Sequence, residues 1–108
     1  MPTEEKQRHE IERVLVLSTG HMTLNDNELL ERNECGDLLI IPYDYGHIIF
    51  VPHRQSRDDV QDYLQSVMGY GFSAAFVELI KLAVAARCMW LKLDADGPVR
   101  DDLLKFAW

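Results

Sequence analysis

The chain has 108 residues, 47% of them hydrophobic and 27% charged, with six glycines and four prolines. That mixture excludes intrinsic disorder and low complexity, and a domain of this size buries roughly 60–70% of its unfolded surface without needing a disulfide or a metal. The formal net charge of −7 opposes a broad phosphate-binding face, and no stretch is both long and uncharged enough to span a bilayer.

Residues 1–13 read as a mobile charged arm, in which Ile11 is the only large apolar side chain from Pro2 to Arg13, and residues 14–108 as a single α/β domain. The arm's charges, Glu4, Glu5, Lys6 and Arg8 among them, are foreign to a secretory signal. Cys35 and Cys88 form no CxxC pair, which points to reduced thiols and a cytoplasmic location.

Val14-Leu15-Val16-Leu17 is a short, β-branched apolar run that stops at Ser18-Thr19-Gly20, the pattern of a buried strand. Asn25 with Glu28 three residues on is a capping-box pattern. It predicts a short helix ending near Asn33 to Gly36, with Gly36 as its left-handed cap. Leu38 to Ile41 and Ile48 to Val51 flank the turn-rich segment Pro42 to His47. This predicts a hairpin with Gly46 at positive φ and with Pro42 and Pro52 at strand ends. Both runs are continuous rather than alternating, so parts of both sheet faces are expected to be covered.

Ser56 is placed to cap a second helix, along which Val60, Tyr63, Leu64, Val67 and Met68 make one apolar stripe. Ser73 caps a third, running to about Arg87 and apolar almost all round. Such a helix is either central or covered by a second subunit, which makes Phe76, Ile80, Ala83 and Val84 a candidate homodimer interface. Met89 to Leu93 is a strand, Asp94 to Pro98 a turn, and the alternation of Leu104, Phe106 and Trp108 suggests an edge strand. The order β-α-β-β-α-α-β(-β) predicts an α/β (α+β) fold: a mixed sheet of four or five strands with three helices packed against it.

Three segments carry a resemblance. They are Val14 to His21, Pro42 to Pro52 and, most specific, Trp90-Leu91-Lys92-Leu93-Asp94-Ala95-Asp96-Gly97-Pro98 with the terminal Trp108. Together they resemble a small bacterial family of uncharacterised proteins often met on plasmids and mobile elements, with Asp102-Leu103-Leu104 departing from its pattern. The resemblance implies a bacterial, cytosolic protein and carries over no catalytic residue.

If the first and last strands run parallel, their carboxyl ends share one sheet edge, where open α/β sheets place ligands. Ser18, Thr19, His21, Asp94 and Asp96 would then meet as a candidate ligand site, with His21, Asp94 and Asp96 the candidate catalytic or metal-binding groups. The plainer reading is stronger, because Asp-x-Asp-Gly is also what a tight turn requires. His21, His47 and His53 match no zinc spacing, and the loop at Asp94 lacks the closing acid of an EF-hand. Cys35 lies beside Glu34 and Asp37, which would raise its thiol pKa, and Cys88 reads as core. Tyr43, Tyr45, Tyr70 and Phe72, near turns, are either a recognition surface or lids on the core.

No nucleophile matched to a base, no phosphate loop and no metal signature is present, so no cofactor is implied. The favoured function is a small binding or accessory module, homodimeric and without nucleic-acid or membrane contacts of its own. Two alternatives stand beside it. One is an acidic inhibitor of a host DNA-binding defence protein, built on Glu4-Glu5, Asp58-Asp59, Asp94-Asp96 and Asp101-Asp102. The other is a small hydrolytic or metal-dependent enzyme using His21, Asp94 and Asp96.

Overall fold

The structure, a computed structural model, describes residues 11–52 and 55–108. The charged arm therefore falls mostly outside the described residues, as does His53. Strand β1 (Val14–Ser18) leads through a 3₁₀ turn at Thr19–His21 into helix α1 (Leu24–Arg32). The hairpin β2 (Ile40–Tyr43) and β3 (Gly46–Phe50), helices α2 (Arg57–Gly69) and α3 (Ala74–Ala85), and strand β4 (Trp90–Asp94) follow. The sheet order is β1-β4-β3-β2, with β1 parallel to β4 and the other neighbours antiparallel. The α+β class, the three helices and the mixed four-stranded sheet are as the element order predicts.

Several details differ from the sequence reading. The cap of α1 is Thr23, whose side chain accepts from Asp26 N–H while Asp26 accepts from Thr23 N–H, not the pair Asn25 and Glu28. Asn33 rather than Gly36 takes the left-handed position, at φ 52°. The hairpin turn is tighter than predicted, since pairing continues to Tyr43 and Gly46 and leaves Asp44 and Tyr45 as its tip. Pro42 consequently sits inside β2. Phe50 N–H donates to Leu39 O, so in this alternating ladder Ile40 and Pro42 point their main-chain groups away from β3. A missing donor costs nothing there, which is why an edge strand accepts the proline.

The tail forms no fifth strand. Phe106 N–H donates to Gly20 O, and Trp108 Nε1–H donates to Met22 O, so the tail crosses the 3₁₀ turn instead of extending the sheet.

Leu17, Leu91, Leu93, Ile49 and Ile40 supply the sheet's buried face. They form one core with Leu30 of α1, Leu64 and Val67 of α2, and Phe76, Leu79, Ile80 and Ala83 of α3. All three helices thus cover the same face. The continuous hairpin runs predict cover over parts of both faces; on the other side Ile48 and Phe50 are partly buried, while Ile41 is 42% exposed and Val14 of β1 44%.

Candidate functional site

Register puts the strand ends at one rim, with Ser18 opposite Asp94 on β4 and Gly46 beyond it on β3. The parallel pairing on which the candidate site depends is therefore present. What the rim does not contain is an available set of polar groups.

Ser18 is buried; its Oγ accepts from Gly20 N–H at 3.0 Å and its N–H donates to Pro98 O at 2.8 Å. Thr19 opens the 3₁₀ turn, and its carbonyl accepts from Met22 N–H. His21 is only 1% exposed, and both ring nitrogens are engaged with the tail. Nδ1 lies 2.7 Å from Leu104 O, and Nε2 accepts from Arg100 N–H at 2.9 Å. A carbonyl can only accept, so Nδ1 carries the proton and the ring is the neutral tautomer.

Asp94 turns the other way. Its Oδ2 accepts from the Tyr43 hydroxyl at 2.5 Å and its Oδ1 from Asp96 N–H at 2.7 Å. The second bond is the Asx turn that the Asp-x-Asp-Gly spacing suggests. These two donors hold the Asp94 carboxyl below the ordinary carboxylate range. Tyr43 is pushed up to about 12, first by burial and then by the carboxylate.

Gly46 makes the Tyr43–Asp94 contact possible, because it lies between them in the row and carries no side chain. A Cβ there would stand 1.8 Å from Leu93 O. Asp96 is exposed and contributes its N–H to Asp94. The rim therefore brings Ser18 and Asp94 together, but no hydrogen bond joins His21 to either aspartate. Among the described residues, no three His, Cys, Asp or Glu side chains gather as a metal ion requires.

The candidate dimer interface on α3 also needs correction. Phe76, Ile80 and Ala83 are 0% exposed within the chain's own core, and Val84 is half-buried against it. The helix is apolar all round because it is central.

The four aromatics separate in the same way. Phe72 is buried and stacks on Phe76 with centroids 4.3 Å apart. Tyr70 exchanges hydrogen bonds with Asp37. Only Tyr43 and Tyr45 stand together near the rim, edge to face. Both cysteines are free and buried, and burial, reinforced by Glu34, pushes the Cys35 thiol up.

Two features were missed from the sequence. One is Asp26, fully buried, which accepts from Thr23 N–H, Ser73 N–H and Ser73 Oγ–H and so joins the starts of α1 and α3. Its signal is Thr23-x-x-Asp26, a capping box two residues before the Asn25-x-x-Glu28 pattern.

The other is the open sheet face. Register arranges it in rows, with Val14, Trp90 and Phe50 in one and Val16, Lys92, Ile48 and Ile41 in the next. Trp90 packs edge-on against Phe50 at 5.1 Å, and its Nε1–H donates to Glu12. Lys92 places its ammonium 5.3 Å from the Tyr43 ring centre.

With this geometry in hand, residues 14–108 match the Family of unknown function (DUF5983) C-terminal domain. The chain belongs to this family. The match spans the whole sheet, all three helices and the tail of this DUF5983 domain. No curated protein and no solved structure matches the chain. No helix among the described residues of the DUF5983 domain is long and apolar enough to cross a membrane.

Proposed function

We propose that this DUF5983 domain is a protein-interaction module that binds through the open face of its sheet. One observation carries the reading: the helices cover a single face, while the other presents Val14, Val16, Trp90, Ile48 and Ile41 around Lys92. A contiguous apolar face of this kind, rimmed by polar groups, is the usual mark of a docking surface. Aromatic anchors beside an aliphatic floor supply what interface centres are built from. The polar rim supports the same reading, because the side chains of Ser18, His21 and Asp94 are occupied by their own chain.

Photo-crosslinking in the producing cell tests this. A crosslinkable residue at Val16 or Ile41 should give one discrete protein adduct, and the same probe at Gln65 or Glu78 on the helical side should give none. Adducts confined to the helical positions would overturn the reading.

A further inference from the structure

Beside the open face lies a strand edge with unused hydrogen-bonding groups. Arg13 O accepts from Met89 and Trp90 N–H, which places residues 13, 15 and 17 as those bonding to β4 in the alternating parallel ladder. Val14, Val16 and Ser18 therefore point their main-chain groups outward. Ser18 confirms the phase, since its N–H is taken by Pro98 O. Val14 and Val16 make no such bond with any described residue.

The opposite edge is different. Ile40 and Pro42 face outward on β2, and the proline has no donor to offer. Protection by proline or lysine, or by a covering segment, is the ordinary treatment of sheet edges. On β1 the tail covers only the end at Ser18. Among the described residues, the sheet is thus guarded on one edge and bare over two residues of the other.

We infer that β1 pairs antiparallel with β1 of a second copy, about a twofold axis through Leu15. In that register Val14 exchanges both hydrogen bonds with Val16 of the second copy, and Leu15 faces Leu15 as the intervening non-hydrogen-bonded pair. The bare window is self-complementary under this axis, which is what an isologous dimer needs. No like charges stand directly opposite each other: Arg13 falls opposite Leu17 of the second copy and Glu12 opposite Ser18. The pairing stops at Ser18 because Pro98 already occupies it.

The product is one continuous sheet with both helical layers on the same side and both open faces on the other. The contact is small, so the dimer forms at high micromolar concentration. This association uses the edge and not the open face, so either reading can fail without the other.

The test is sedimentation over a concentration series, joined to disulfide trapping. In the inferred register the two copies of residue 15 have Cα atoms about 4.5 Å apart, within the range a disulfide spans. Leu15→Cys should therefore give a disulfide-linked dimer under mild oxidation, and Ile41→Cys on the guarded edge should not. Val16→Pro removes an outward donor, and its ring keeps Leu15 in the extended region that the strand already uses, so it should give a folded monomer where the wild type is dimeric. If that variant does not fold, the Leu15→Cys result decides. A wild type that stays monomeric up to about 1 mM, or a Leu15→Cys chain that gives no linked dimer, overturns the inference.

Discussion

Ser18 and Asp94 stand opposite each other at the carboxyl ends of the parallel strands β1 and β4, and each has its polar atoms taken by its own chain. A rim placed where open sheets often hold ligands is here a fastening. It ties the Asp94 turn to the hairpin through Tyr43, and the tail to the 3₁₀ turn through His21.

The Tyr43–Asp94 bond has an alkaline signature. The folded chain favours neutral Tyr43, so its contribution is present below pH 10.0 and is lost as pH rises through about 12. In Asp94→Asn the ionisation of Tyr43 should move part of the way back toward 10.0, since burial, the larger cause, remains. Absorbance titration of the variant against the wild type measures it; an unmoved transition would contradict the contact. On the acid side, Asp94 is held below 3.8, so its contribution is present above that pH and is lost as pH falls through the lower folded value.

Asp26→Ala should destabilise the chain by about 3 kcal/mol or more, because it strands Thr23 N–H and both donors of Ser73 away from water. The effect reaches α3, since the Ser73 hydroxyl that donates to Asp26 also accepts from Phe76 N–H. Urea unfolding gives the value. Asp26→Asn, which offers one acceptor oxygen instead of two, should fall between the wild type and the alanine variant.

His21→Ala removes two hydrogen bonds between the 3₁₀ turn and the tail and should cost about 2 kcal/mol. Amide exchange is the sharper readout. Arg100 N–H, which donates to His21, and Phe106 N–H, which donates to Gly20, should exchange much faster, while Leu91 in the central strand should change least.

His47 points into the core from β3, and among the described residues its buried Nδ1 has no partner. Burial lowers its pKa below the ordinary 6.5, so the cost of holding it neutral appears as pH falls below 6.5 and grows down to the folded value. His47→Leu should raise stability by about 1 kcal/mol at neutral pH and flatten the decline as pH falls from 6.5 to the lowered folded value. Thermal melts across that interval check both.

Strands, helices and their order were legible because each apolar run is short, bounded and followed by turn residues, as at Val14 to Leu17 and at Ser73 to Ala85. The side on which each element is covered was not. Ile48 and Ile41 read as buried because they are aliphatic, and only the register places them away from the helices. The role of His21 was hidden for another reason. Its partners, Leu104 and Arg100, lie 83 and 79 residues away and use main-chain atoms, which leave no mark in side-chain identity. Asp94 was readable as an Asx turn from its spacing alone, whereas its bond to Tyr43 required the strand order.

The central claim is that, among the described residues, the helices cover only one face of the sheet and the other carries no layer. The sequence has two tryptophans, so Trp108→Phe leaves Trp90, on the central strand β4 and on that face, as the sole tryptophan emitter. Below the concentration of self-association, acrylamide should quench Trp90 readily, with emission characteristic of a half-exposed indole. A blue-shifted Trp90 that acrylamide cannot reach in the monomer would show the face already covered and would contradict the account.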